Sequence, residues 1–415
     1  MMTLEQIGKK AKAAERFLAK ADAAQKTSAI ESIADELIKN TDKIIESNKI
    51  DLENGKNNGL SDSLLDRLAL TPERIKGMAQ GAMEVAAMND PVGKVLDGGV
   101  NKNGMTVTKI TVPLGVIAVI FEARPNVTSD AAVLCLKAGN TVILRGGKEA
   151  INSNMAIVEV MRNAVEKAGL PADCIQLIED TSRDSARGLM TLNEYVDVLI
   201  PRGGAGLIRT VVENSTVPVI ETGSGNCHTY IDKDADIDMA AEIIFNAKTS
   251  RPSVCNACES VLIHKDIAEI ALIAVAKKLE EKNVEIHGDE IVCAILPDAI
   301  PSTENDWATE YLDYKISIKT VDSIDEAIDH ISKYSTRHSE CIITNNLEAS
   351  QKFIKEVDSA AVYVNVSTRF TDGGEFGYGA EIGISTQKLH ARGPLGIDTL
   401  VSYKYTIIGN GQIRK

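Results

Sequence analysis

Residues 116–148 read VIAVIFEARPNVTSDAAVLCLKAGNTVILRGGK, and this stretch decides the fold. Val116–Phe121 and Thr141–Leu144 are short apolar runs rich in β-branched side chains, as expected of strands covered on both faces. Ala131–Ala138 between them reads as helix, so the stretch is strand, helix, strand. The alternation continues outward: a helix over Met155–Ala168, a strand at Ile175–Ile178, a helix over Ser185–Leu192, a strand at Val196–Ile200 and a helix over Leu207–Asn214. Short apolar strands separated by helices predict βαβ units and a parallel sheet with helices on both faces. A second α/β stretch follows, with helices at Ile237–Lys248, Ile267–Glu281 and Ile324–Ser332 and strands at Glu259–His264, Ile291–Ile295 and Glu340–Ile343.

Upstream, residues 1–92 read as helices. Ala13, Phe17, Leu18, Ala21 and Ala24 recur at helical spacing, as do Ile30, Ile33, Leu37 and Ile38. Lys94–Asn101 and Met105–Val112 then flank Asn103-Gly104, a turn dipeptide that tolerates positive φ and predicts a β-hairpin. The final apolar alternation, Thr399–Ile408, has no neighbour in sequence to pair with. It must pair at a distance, another subunit being one such partner.

The chain has 415 residues, enough for two or three domains, and 45 basic against 59 acidic side chains leave a net charge of −14. This balance argues against a nucleic-acid partner or an anionic membrane surface. With only 4% aromatic residues, base-stacking platforms are not expected either. No apolar stretch is long enough for a membrane helix, and no signal peptide is evident, so a cytoplasmic protein is expected. Seven irregularly spaced cysteines suit reduced thiols better than a disulfide framework.

Cys255 and Cys258 form a C-x-x-C after Ser250-Arg251-Pro252. Zinc would need two further ligands at suitable spacing, and no metal site is expected. Redox pair, buried structural thiols and nucleophile all remain open on this pattern. Cys255 follows a Pro-containing turn near Arg251 and opens an apolar segment, which suits a stabilised thiolate. No G-x-G-x-x-G follows a strand, so the usual dinucleotide fingerprint is missing. Arg145 and Lys148 at the end of one strand, and Gly203-Gly204 between a strand and a helix, are either solvated turns or the cradle of an anionic cofactor. The seven glycines between residues 367 and 396 suggest backbone close to a ligand, or tight turns.

Taken together, the chain resembles the aldehyde dehydrogenase superfamily, and within it the branch that reduces an acyl phosphate of glutamate. The residues carrying the likeness are Phe121–Asn126, Lys137–Lys148, Ile200–Gly204, Glu221–His228, Arg251–Ala257, Ser367–Gly377 and His390–Pro394, in order across almost the whole chain. The resemblance implies an aldehyde-dehydrogenase-like α/β fold. An NADP-binding domain is expected at residues 1–92 and 112–228, a catalytic domain at 229–395, and an oligomerisation hairpin and strand at 93–111 and 396–415. It further implies NADPH-dependent reduction of L-glutamyl 5-phosphate to L-glutamate 5-semialdehyde and phosphate in proline biosynthesis, through a thioester on Cys255.

By matching position, Asn126 is the side-chain donor of the oxyanion hole. Glu310 holds the nicotinamide ribose, Arg145, Lys148, Gly203 and Gly204 contact the cofactor, and Glu221 stands where hydrolytic relatives keep a water-activating carboxylate. Arg124, Arg251, Arg369 and Arg392 are candidates for the substrate's anionic ends. Cys258 is read as a bystander, and His228 and His390 as structural imidazoles. A homo-oligomer is implied, and association with a glutamate kinase is compatible with it. The alternatives are a relative that uses water or CoA in place of phosphate, and a non-catalytic dinucleotide-binding partner of the kinase.

Overall fold

The computed structural model describes residues 2–414, with only the backbone at Ser63. The chain divides into two compact units. One comprises Met1–Thr222, Gly377–Gly383 and Leu395–Lys415, the other Gly223–Phe376 and Ile384–Pro394.

The first unit contains a hairpin, β1 (Val95–Val100) and β2 (Thr106–Pro113), and four parallel strands, β3 (Val116–Phe121), β4 (Thr141–Arg145), β5 (Ile175–Leu177) and β6 (Val198–Arg202). The parallel sheet has the order β5-β4-β3-β6. Every residue of β3 is buried, which is why it reads as a continuous apolar run. Ile7 and Ala11 of the helix Leu4–Leu18 pack against Val116, Ala118 and Ile120 on one face of this sheet. The helix Asn126–Lys137 ends in a Schellman motif: Gly139 has φ +76°, its N–H donates to Leu136 O, and the Asn140 N–H donates to Cys135 O. That motif returns the chain to β4 within three residues.

The terminal alternation forms the strand Val401–Ile408, which pairs antiparallel with β2 of its own chain. Asn140 fastens this arrangement, accepting from the Gly115 N–H and donating to Leu400 O.

The second unit holds seven parallel strands: β7 (Cys227–Ile231), β8 (Cys258–His264), β9 (Glu285–Gly288), β10 (Ile300–Pro301), β11 (Lys315–Val321), β12 (Ser339–Ile343) and β13 (Ala361–Val364). Their order is β10-β9-β11-β8-β7-β12-β13. Alternate residues serve opposite faces, as the two-residue strand period requires. Ile231, Val261, Ile263 and Ile343 face the helices Ile237–Thr249 and Ala268–Glu280. Tyr230, Leu262 and Ile342 face Ile324–Tyr334 and Leu347–Glu356.

One expectation is corrected. Ile291–Ile295, read as a strand, lies in the helix Glu290–Ile295. A short apolar run fits either state, and the cap decides it: the Asp289 side chain accepts from the Val292 N–H and starts a helix. The strand at this point is β9, immediately before that cap.

Candidate active site

In the second unit Cys255 lies, partly exposed, in the turn between the helix Ile237–Thr249 and β8. The turn is held from several sides. The Cys227 Sγ–H donates to the Cys255 carbonyl at 3.1 Å. A Cβ at Gly225 would stand 1.4 Å from that same oxygen, so the approach requires glycine. Asn256 donates to the carbonyls of Thr371 and Arg369, and Thr368 Oγ1 donates to Asn256 O. The glycine-rich region thus begins with a segment latched to the cysteine turn.

Arg369 is part of this latch, hydrogen-bonded through its guanidinium to Asn256 Oδ1 and Ser250 Oγ. Burial, and then the charge of Arg251, hold it below its ordinary pKa. Two guanidinium groups that feel one another beside a thiol make a place for an anion. Arg392 is engaged elsewhere: its guanidinium donates to the Asp358 carboxylate at 2.8 Å and to the Asp358 carbonyl.

Glu310 accepts the Gly225 N–H at 2.7 Å, and burial raises its pKa. Its segment is tied down at both ends. Upstream, Asn226 Nδ2 donates to the Trp307 carbonyl, and Tyr311 donates to Asp306, which also lies 3.1 Å from His287. Downstream, the Leu312 N–H donates to Glu259. Glu259 is fully buried and paired with fully buried Lys248 at 2.5 Å. Burial pushes the Glu259 carboxyl up to about 7 against the pull of Lys248. This pair gave no signal in the sequence, because its partners become neighbours only through the fold.

Cys258 is buried, and burial pushes its thiol up to about 12. Together with its contacts to Thr229 Oγ1 and Ser260 O, that suits an inert packed thiol. Buried His228 contacts the Asn226 carbonyl and lies 3.5 Å from Glu340. No group of three or more His, Cys, Asp or Glu suited to a metal occurs among the described residues.

In the first unit, the loops after β3, β4 and β6 bring together Glu122, Gly147 and Gly203-Gly204. This is the carboxyl edge of a parallel sheet, where ligands of such folds bind. The Glu122 carboxylate accepts the Gly204 N–H at 3.1 Å, at the start of the helix Ala205–Asn214. That end therefore already holds an anionic group, and a Cβ at Gly203 would stand 2.6 Å from Glu122 Cδ.

Arg145 donates to the carbonyls of Thr181 and Ser182, while its buried Nε has no hydrogen-bond partner. Lys148 is exposed at the next turn. The orphaned Arg145 Nε fits a cofactor carrying phosphates, whereas the amide at the start of the Ala205–Asn214 helix is taken by Glu122. Arg124 lines a recess of about 320 Å³ with Glu122, Glu149, Leu60, Leu64 and Arg67. Glu221 is partly buried one residue before the boundary between the units.

Asn126 is the exposed first residue of its helix, and its Nδ2 donates at 2.9 Å to Asp130, one turn on. Burial raises the Asp130 carboxyl to about 6, opposed by the hydrogen bonds from Asn126 and Ser129 and by the charge of Arg202. Sequence reasoning passed over Asp130. The signal available was an Asn and an Asp four residues apart at a helix start, a spacing common on ordinary helices.

The model of the aldehyde dehydrogenase family matches residues 2–293. The chain belongs to that family and is an oxidoreductase of it, and the family's redox cofactor is a nicotinamide dinucleotide. The chain is 59% identical to the gamma-glutamyl phosphate reductase of Clostridium novyi, over 97% of both chains. It is 55% identical to that of Caldanaerobacter subterraneus, over the full length of both. The crystal structure of gamma-glutamyl phosphate reductase from Thermotoga maritima superposes with a TM-score of 0.97 at 47% identity, covering 99% of this chain and 100% of that one. Among the described residues no helix is long and apolar enough to cross a membrane.

Proposed function

We propose that this chain reduces L-glutamyl 5-phosphate to L-glutamate 5-semialdehyde and phosphate with NADPH, a step of proline biosynthesis. The observation that carries the reading is the Cys255 turn, immobilised from below and flanked by Arg251 and Arg369. The identity to three gamma-glutamyl phosphate reductases over essentially whole chains supports it.

The chemistry follows from the residues. An acyl phosphate is already activated, so the Cys255 thiolate adds to the carbonyl carbon without strong acid assistance. Asn126 is assigned as side-chain donor to the resulting oxyanion, a contribution worth about 10²–10³ in rate. Collapse breaks the carbon–oxygen bond to phosphate, which takes up a proton from solvent and departs as the hydrogenphosphate dianion toward Arg251 and Arg369. The thioester left on Cys255 is a good hydride acceptor, and NADPH, when held at this site, would supply the hydride. The thiohemiacetal then expels the thiolate and releases the aldehyde. Glu310 is assigned to the nicotinamide ribose, Arg145 and Lys148 to the adenosine end of the cofactor, and the Gly203-Gly204 loop to close backbone approach to it. Glu221 has no attacking water to activate in this sequence and is left a positioning role.

The exposed apolar residues of the antiparallel ribbon, among them Val95, Leu96, Val100, Tyr405, Ile407 and Ile408, support a homo-oligomer assembled through that sheet. The reading is tested by NADP⁺ reduction with L-glutamate 5-semialdehyde, with and without inorganic phosphate, for wild type and Cys255→Ala. Phosphate-dependent turnover lost in the variant is expected. Turnover without phosphate would replace the reading by a hydrolytic one.

A further inference from the structure

We infer that Asp130 is the positioning residue that fixes the carboxamide of Asn126 with its N–H groups in the donating orientation. The inference rests on the reading of Asn126 as donor to the oxyanion, and it adds what makes that amide competent.

A primary amide has two nearly isosteric faces, one donating and one accepting, and an exposed Asn exchanges them at little cost. Only the Nδ2 face serves an oxyanion, so half of the orientations would place a lone pair where negative charge develops. The helix backbone at Asn126 is already fixed. The Val127 N–H donates to Arg124 O, the Thr128 N–H to Pro125 O, and Ser129 Oγ donates to Asn126 O at 2.9 Å. What remains is rotation of the terminal amide.

Asp130 resolves it. An ionised carboxylate accepts and does not donate, so Nδ2 must turn toward Oδ2, at 2.9 Å, and Oδ1 must turn away. One N–H is used on Asp130, and the second then has a defined direction. A Gln, Ser or Asn at position 130 would satisfy either face of the amide and select neither. The carboxylate lies partly buried, where ionisation is costly, with Arg202 acting on it through charge. A helix-start hydrogen bond alone would not require a group kept charged in such surroundings.

The experiment is a double-mutant cycle on the burst of NADPH formed from semialdehyde and NADP⁺, using Asp130→Asn, Asn126→Ala and the pair. Asp130→Asn is expected to slow the burst by about 2-fold, the share of amide orientations no longer competent, with KM for the semialdehyde unchanged. In the Asn126→Ala background the same change is expected to leave the burst rate unchanged, because nothing is left to orient. A full loss in that background would overturn the inference. So would a rise in KM with an unchanged burst, which would make Asp130 a contact of the substrate's ammonium group. A wild-type burst in Asn126→Ala would instead remove the donor reading beneath it, a separate outcome. Should Asp130→Asn not fold, Asp130→Ser is read by the same criteria.

Discussion

Gly225 and the Cys255 carbonyl approach so closely that a Cβ at residue 225 would stand 1.4 Å from the oxygen. The same glycine donates its N–H to Glu310. One residue without a side chain therefore links the Cys255 turn to the carboxylate assigned to the cofactor ribose. Gly225→Ala must displace one or both. It is expected to lower kcat/KM by about 10²-fold or more while leaving the circular dichroism spectrum unchanged. The alkylation rate of Cys255 should change with it.

Neutralising Arg145 and Lys148 together should discriminate between cofactors. The doubly substituted enzyme, Arg145→Gln with Lys148→Gln, is expected to lose at least about 10-fold in affinity for NADPH and little for NADH, measured by fluorescence titration. Equal losses would remove both residues from recognition of the 2′-phosphate.

The buried Lys248–Glu259 pair carries a stability prediction. Lys248→Met leaves Glu259 without its counter-ion and should destabilise the fold by about 3–5 kcal/mol in denaturant unfolding. Replacing both, Lys248→Met with Glu259→Leu, should recover much of that loss. The first variant loosens the hydrogen bond from Leu312 to Glu259 and the second removes its acceptor, so KM for the cofactor should rise in both, through Glu310.

Asp130 has a pH signature. Its carboxyl is raised to about 6 in the folded chain from 3.8. A raised acid favours the fold when protonated, so this contribution is full below about pH 4 and lost as pH rises through 6. Asp130→Asn should therefore stabilise the protein at pH 7 relative to wild type, by roughly 1–3 kcal/mol, and have little effect near pH 4. Thermal unfolding of both proteins at the two pH values checks it. Stability gained with catalysis lost is the mark of a group kept for function.

The alternating architecture was legible because β3 is a continuous apolar run, as a strand covered on both faces must be, and β4 and β6 carry the short apolar runs Val142–Leu144 and Val198–Ile200. β7 and β11 were not picked out, since His228 and Thr229 interrupt one and Ser317 and Lys319 the other. Those polar side chains find partners only once the sheet is assembled. Ile291–Ile295 was misread because five apolar residues have no period long enough to distinguish helix from strand, and the Asp289 cap lay outside the run. Cys255 and the Arg251 turn could be read locally. The link from Glu259 to Leu312 spans 53 residues, and Asn126 to Asp130 matters only once the helix phase is known. Neither is visible in composition or spacing.

The central claim is that Cys255 carries a thioester that phosphate, and not water, resolves. The most direct measurement mixes the protein with L-glutamate 5-semialdehyde and NADP⁺ in the absence of phosphate and follows NADPH formation. The account predicts a burst of about one NADPH per Cys255 followed by a stall, with turnover resuming when phosphate is added. Steady turnover without phosphate, or a burst that survives in Cys255→Ala, would contradict it.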